Sequence, residues 1–338
     1  MITRAIAQVV EGRDLEASVM REAMNSILEG DASEAQIAAL AVGLRMKGET
    51  ATEIAEAART MRAHCTPVKL DIEGPLLDTC GTGGDGLSTF NISTVSAIVA
   101  SAAGAHVAKH GNRAMSSRSG SADVLEALGV RIDIDAARVS RCIRELGIGF
   151  MFAQTHHGAL RHAAPVRRQI GVRTVFNLLG PLSNPASATH QLLGVYDGGR
   201  VEQMAEALGM LGVEGAWVVH GEGGMDEVSP SGPTRVARLK DGKVSAGELT
   251  PADFGVDAVP LSALAGGDAE TNAAIARAVL AGEPGPRRTA VLVNAGAALC
   301  VAGLAESPRE GASRAATAID SGAAREKLAA WCTLTREP

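Results

Sequence analysis

Aromatic side chains are nearly missing from this sequence. Phe, Tyr and Trp together make up 2% of the 338 residues, and there is a single tyrosine. A surface that holds nucleic acid by stacking bases on rings lacks its raw material. The core must therefore rest on Ala, Val, Leu and Ile. Basic charge is also short, with 32 Lys and Arg against 38 Asp and Glu and a net charge of −6. An extended basic face for a polyanion is not expected, although a local pocket for one small anion is not excluded. The cysteines are Cys65, Cys80, Cys142, Cys300 and Cys332, an odd number with no two at zinc-ligand spacing. They are read as reduced thiols of a cytoplasmic protein rather than as a disulfide framework. The opening MITRAIAQVVEGRD has no apolar core of a secretory leader. No uncharged apolar run reaches the roughly 18 residues that a membrane helix needs. The most apolar stretch, TAVLVNAGAALCVAGLA, is rich in Ala and Gly, flanked by charge, and read as a buried helix. Neither a membrane nor a nucleic acid is expected as a partner, and there is no internal repeat.

What is plentiful is apolar aliphatic content (46% hydrophobic residues) and glycine, with 39 residues. The first segment reads as all-helical. LEASVMREAMNSILEG sets Val19, Met24, Ile27 and Leu28 on one face and stops at Gly30. DASEAQIAALAVGLRMKG opens on a Ser33–Gln36 capping box, and ETATEIAEAARTMRAH repeats the device with Thr50 and Glu53. Pro67, Gly74 and Pro75 then mark an extended hinge. After it the pattern alternates strand, turn and helix. LLDTC, AHVAKHG, VRIDID, IGFMFAQ, HQLLGVYD and GAWVVHG read as strands, with helices between them. TRVARLKDGKVSAGELTP reads as a hairpin turned at Asp241-Gly242, and the Ala-rich C-terminal part as helical. The expectation is an α/β protein: a small helical domain over residues 1–66, joined by part of 170–190, hinged to an α/β domain over 67–338 with a mainly parallel central sheet.

Four clusters carry possible chemistry. DTCGTGGDGLSTFNIST places a glycine loop between a strand and a helix, where backbone N–H groups and a helix start receive anions. It is not a Walker A loop, since no Gly-Lys-Ser/Thr follows. Gly81, Gly83 and Gly86 match the dinucleotide spacing, but Asp85 would face the pyrophosphate. The bland alternative is a tight turn of structural use only. KHGNRAMSSRSGSAD supplies Lys109 as a point charge and Asn112, Ser116, Ser117, Ser119 and Ser121 as neutral donors, a lining suited to phosphate oxygens. GMDEVSP sets Asp226 beside Glu227; adjacent acids are commonly surface charge, but near a phosphate site they suit Mg²⁺. THHGALRHAAPVRRQIG gathers His156, His157, Arg161, His162, Arg167 and Arg168; it lacks metal-ligand spacing, and a carboxylate-binding Arg is the easier chemistry.

Together the four clusters resemble the anthranilate phosphoribosyltransferase family of tryptophan biosynthesis. The matching stretches are GTGGDGLSTFNIST, KHGNRAMSSRSGSADVLEALG, PVRRQIGVRTVFNLLGPLSNP and GMDEVSP, and the similarity runs over nearly the whole chain. The resemblance implies a nucleoside-phosphorylase-type fold, a homodimer through the helical part, and transfer of phosphoribose from 5-phosphoribosyl 1-diphosphate (PRPP) to anthranilate with Mg²⁺, releasing pyrophosphate. Carried onto this sequence, it puts Gly81, Gly84, Asp85 and Thr89 around PRPP, with Asn91, Ile92, Ser93 and Thr94 at its phosphates. Lys109, His110, Gly111, Asn112, Arg113, Ala114, Met115, Ser116 and Ser117, with Ser121, close over it. Asn112 and Arg167 take anthranilate, and Gly81 borders both substrates. Ser93, Asp226 and Glu227 are the implied metal ligands. The chain departs from the family at Ala153-Gln154 and His157-Gly158, where the family often has Ala-Pro and His-Pro. A related pyrimidine nucleoside phosphorylase is the nearest enzymatic alternative, and a silent nucleic-acid-binding relative the alternative from another class. The amine of anthranilate is already nucleophilic, so no single general base is expected.

Overall fold

The structure, a computed structural model, describes residues 2–114 and 118–337. The chain starts with four helices: α1 (Ile2–Val10), α2 (Ala17–Leu28), α3 (Glu34–Lys47) and α4 (Ala51–Ala63). Both expected capping boxes form. Ser33 Oγ accepts from Gln36 N while Gln36 Oε1 accepts from Ser33 N, and Thr50 pairs with Glu53 in the same way. Sequence periodicity brought out three of these helices; α1 is additional, and its buried Ile2, Ala5 and Val9 place it on α3.

From residue 76 the chain enters the sheet. The order along it is β1 (Leu76–Gly81), α5 (Ile92–Ala102), β2 (His106–Gly111), α6 (Ser121–Leu128), α7 (Ala136–Leu146) and β3 (Ile148–Phe152). Then α8 (Ala153–His156), α9 (Ala164–Ile170) and α10 (Phe176–Leu182) lead to β4 (His190–Gly194), α11 (Val201–Met210) and β5 (Gly215–Gly221). The hairpin β6 (Thr234–Lys240) and β7 (Lys243–Leu249) precedes α12 (Ala269–Leu280), α13 (Pro286–Val301), α14 (Pro308–Asp320) and α15 (Ala323–Arg336). Among the described residues this makes one seven-stranded sheet, β3-β2-β1-β4-β5-β6-β7. The first five strands are parallel, and β6 and β7 are antiparallel. The hairpin turns where expected, with Asp241 at φ 51 and Gly242 at φ 71, both left-handed.

VRIDID is not a strand. Val130 and Ile132 point into the core, which gives the segment its alternation, but its backbone is spent elsewhere: Val130 N donates to Leu125 O at 2.9 Å and Arg131 N to Thr335 Oγ1 at 3.1 Å. The apolar stretch 289–305 falls largely in α13 and is buried as expected.

Two large cores flank the sheet, and a smaller cluster gathers Leu76, Ala108, Val139, Ile143 and Met151. On one side α5 and α12 to α15 pack through residues such as Val95, Ile98, Val291 and Trp331. On the other, Leu193, Val218 and Met204 join Met20, Leu40 and Ile54 of the helical part together with Phe176 and Leu179 of α10. The helical part is thus fastened to the sheet by continuous apolar packing and by the buried Glu49–Arg200 ion pair at 2.7 Å. The carboxyl ends of the parallel strands are left to hold ligands.

Candidate active site

The strands β1 and β4 end on glycines paired in register, Gly81 with Gly194. Asp226 lies across both. A Cβ on Gly81 would strike the Asp226 carboxylate, and one on Gly194 would strike its backbone carbonyl. The turn after β5, closed by the Gly221–Met225 bridge, delivers Asp226 to this place. The glycine loop then wraps the acid. Gly83 N donates to Asp226 Oδ2 at 2.6 Å, Thr82 N donates to Gly194 O at 2.9 Å, and Tyr196 N donates to Thr82 Oγ1 at 3.1 Å. Gly83, Gly84 and Gly86 have φ of 70, 78 and 78, which a side chain would strain. Asp85 accepts from Leu87 N at 3.0 Å and lies close enough to Asp226 to raise its pKa.

Glu227 reaches the other wall. Its Oε1 accepts from Ser93 N at 3.1 Å in the first turn of α5, where the helix dipole favours an anion. Ile92 N and Thr94 N are already bonded to Phe90 O and Asn91 O, and both side chains turn into the core. Asn91 donates to Ser119 O at 3.1 Å and accepts from Asn272 at 2.8 Å, while Thr89 bridges Ala265. Lys109 is buried, with its Nζ on Thr79 O and 3.4 Å from Ser93 Oγ.

The charges here are under stress. Desolvation and the neighbouring Asp85 push the Asp226 carboxyl up to about 6, and desolvation and Asp226 push Glu227 up to about 8. Among the described residues no group of three or more Asp, Glu, His or Cys side chains could hold a metal by itself. The chemistry nevertheless fits a hard divalent cation: two carboxylates and the Ser93 hydroxyl are oxygen donors, and substrate oxygens and water would complete the shell. Burial also lowers the Lys109 pKa, against the opposing pull of the buried Asp78.

The second loop leaves β2 at Gly111, where a Cβ would meet Ser121 Oγ and the Phe150 ring. Asn112 O accepts from Ser121 Oγ at 3.3 Å, and Asn112 Oδ1 accepts from Arg113 N at 2.8 Å. Asp123 clips the loop shut by accepting from Ala114 N at 3.0 Å and Gly120 N at 2.8 Å. Arg113 is tied to the same Asp123 and to Glu126, both on α6, which turns its charge toward that helix. Met115, Ser116 and Ser117 lie outside the described residues. His110 is buried, with Nδ1 3.1 Å from Gly180 O and its ring 5.0 Å from that of His157. Arg167, on α9, has its guanidinium 5.9 Å from the Phe176 ring centre.

A helical-bundle model of the glycosyl transferase family matches residues 3–65, and the α/β-domain model of the same family matches residues 73–325. The anthranilate phosphoribosyltransferase of Myxococcus xanthus is 57% identical over 97% of this chain and 97% of its own. The solved anthranilate phosphoribosyltransferase of Thermus thermophilus is 46% identical and superposes with a TM-score of 0.94, covering 98% of this chain and 99% of that one. The chain belongs to the anthranilate phosphoribosyltransferase family. The family's Saccharomyces cerevisiae member, solved in complex with PRPP and Mg, is 29% identical at a TM-score of 0.89 over 99% of this chain and 97% of its own.

Within this family frame the fold brings together Gly81, Gly84, Asp85, Ser93, Lys109, Asp226 and Glu227 at one strand end. Three contributors escaped the sequence reading. Gly194 sat unnoticed inside HQLLGVYD, although a glycine in a strand is a signal of close backbone approach. Asp78, fully buried, accepts from His110 N at 3.1 Å and Asn184 Nδ2 at 2.8 Å, so it fixes the end of β2 from β1. Arg173 stacks 3.9 Å from the Tyr196 ring centre and donates to Gly84 O. The last two look like ordinary charge in the sequence, because their partners lie about 100 residues away or are backbone atoms.

Proposed function

We propose that this chain transfers the phosphoribosyl group of PRPP to the amine of anthranilate, releasing pyrophosphate, as the names of its relatives state for them. The observation that carries the reading is the pair Asp226 and Glu227, held at once by the glycine loop and by the first turn of α5. The donor set fits Mg²⁺ on Ser93, Asp226 and Glu227. When bound there, the ion would neutralise charge on the departing diphosphate. Lys109 would add its ammonium near Ser93, and the loop N–H groups would receive phosphate oxygens from a preorganised backbone. Asn112 and Arg167 would hold anthranilate, with the guanidinium taking its carboxylate. The amine nitrogen forms the bond to ribose C1 as the C1–O bond breaks, the electron pair leaves with pyrophosphate, and the nitrogen's surplus proton passes to water. Holding the two reactants in line supplies up to ~7–11 kcal/mol of the acceleration. The test is the loss of anthranilate fluorescence on mixing with PRPP and Mg²⁺. No loss with this chain would sink the reading.

The acid–base side of the reaction needs no dedicated histidine. Burial pushes His157 down to about 4 and His110 well below its usual range, so both are neutral at pH 7. Turnover of a His157→Asn variant is expected within about tenfold of the parent, and no kcat limb should fall at the ordinary histidine pKa. Complete loss of turnover with both substrates still bound would show a required base.

We also assign a homodimer through the helical part. Val10 and Met46, near the ends of the mutually packed α1 and α3, are 74% and 83% exposed, and a second copy seated on the helical part would cover them. Sedimentation should give twice the 34.6 kDa chain mass. A Met46→Glu variant should shift the population toward the single chain. A parent sedimenting as one chain at micromolar concentration would contradict the assignment. The five free cysteines fit the cytoplasm, and no helix among the described residues is long and apolar enough to cross a membrane.

A further inference from the structure

We infer that Arg173, braced by Tyr196, positions the glycine loop from the segment that also carries Arg167, and thereby couples the two substrate subsites. Arg173 lies between α9 and α10. Its guanidinium rests on the ring of the chain's single tyrosine, 3.9 Å from the centre, and donates to Gly84 O. The left-handed φ of Gly84, 78, favours glycine there, and a Cβ would push that guanidinium aside. Tyr196 holds the stem of the same loop, because its backbone N donates to Thr82 Oγ1. Brace and stem therefore share one residue.

The other end of the connection is equally defined. Arg167 stands six positions before Arg173, and the Phe176 ring it faces stands three positions after. Thr174 N donates to Asn177 Oδ1 at 3.0 Å, which fixes the turn into α10. The other holds on the loop come from β4, from Asp226 and from the segment before α12, where Gly266 N donates to Ser88 O at 2.9 Å and Thr89 bridges Ala265. Arg173 is the hold that comes from the α9–α10 segment. A ligand that orders the loop therefore orders the segment bearing Arg167, and anthranilate on Arg167 does the same for the loop, since coupling between sites is reciprocal.

The inference rests on the proposed reaction, and two measurements keep their failures apart. Arg173→Gln removes charge and fork, Tyr196→Ala removes the brace and leaves the charge, and Tyr196→Phe keeps the ring. In the fluorescence assay, Arg173→Gln and Tyr196→Ala should each raise the KM of PRPP and the KM of anthranilate together by about tenfold, and Tyr196→Phe should stay within about twofold of the parent. A change confined to one KM, or to neither, at unchanged melting temperature overturns the coupling. If Arg173→Gln does not fold, Tyr196→Ala decides on the same criterion. Amide hydrogen exchange over residues 82–89 serves as a readout without turnover: it should quicken in both brace variants, and unchanged exchange in both overturns the positioning role. A parent chain that consumes no anthranilate would instead count against the proposed reaction and leave the exchange result to judge Arg173.

Discussion

Replacing Asp226 by Asn together with Glu227 by Gln should reduce kcat/KM by about 10³-fold or more, while making the protein harder to melt. The loss follows from the carboxylates' place between the glycine loop and α5, where they would hold the cation that faces the leaving diphosphate; removing one preorganised electrostatic group from such a site costs about 10²–10³. The gain in stability follows from the proton balance. In the unfolded chain these groups titrate near 3.8 and 4.5, and in the folded chain near about 6 and about 8. Between those limits the folded state holds more protons than the unfolded one, so metal-free stability falls as pH rises from about 4 to about 8. The neutral variant lacks this dependence. Its melting temperature should exceed the parent's by a margin that widens from pH 5 to pH 8 without Mg²⁺. Added Mg²⁺ should raise the parent's melting temperature and not the variant's, because only a cation bound to the folded state stabilises it. Thermal melting with and without EDTA, beside the fluorescence assay, checks both halves. Parent-like turnover in the variant would remove the two acids from the mechanism.

The second large effect is expected at a residue with no functional side chain. Gly194→Ala sets a methyl group against the backbone carbonyl of Asp226, closer than any real Cβ contact. That backbone, unlike the end of a flexible side chain, must move as a unit. It carries the carboxylate that Gly83 N grips at 2.6 Å. A displacement of about 1 Å at such a group costs roughly 10² in rate. Turnover should fall by at least about that factor. The apparent Mg²⁺ requirement should rise as well, because the acid pair loses its alignment with Ser93. The strand itself should persist, as its ladder runs from His190 to Gly194 on both sides. A Gly194→Ala protein with parent kinetics would mean that Asp226 has freedom the close approach denies it.

The helical part was legible for local reasons. Ser33–Gln36 and Thr50–Glu53 are capping devices spanning three residues, and the chain needs no distant partner to form them. The Asp241-Gly242 turn is of the same kind, since both residues tolerate the left-handed backbone the hairpin requires. The misread VRIDID shows where local pattern stops. Alternation of buried and exposed residues is shared by strands and by connectors that dip into a core, and only the partners of the backbone N–H groups separate them; those of Val130 and Arg131 go to Leu125 O and Thr335 Oγ1. α1 escaped because its short apolar pattern gains its meaning from the α3 face it covers.

At the site the division falls along the same line. Sequence by itself determined the residue types and their order: a glycine loop before a helix, a lysine–histidine–glycine–asparagine run after a strand, two adjacent acids, and an arginine-rich segment. It also determined that these chemistries sit at strand ends, because strand and helix alternate around them. The tertiary structure decided which of them meet. It laid Asp226 over two opposed glycines 113 residues apart, one of them unremarked in the sequence. It set Glu227 on the N–H of Ser93 and buried Lys109 beside them, and it brought Arg173 onto Gly84. The physical reason is distance. A cap or a turn is fixed by forces acting over a few residues, whereas a shared cation site is fixed by sheet register and close packing, which exist only once the whole chain has folded.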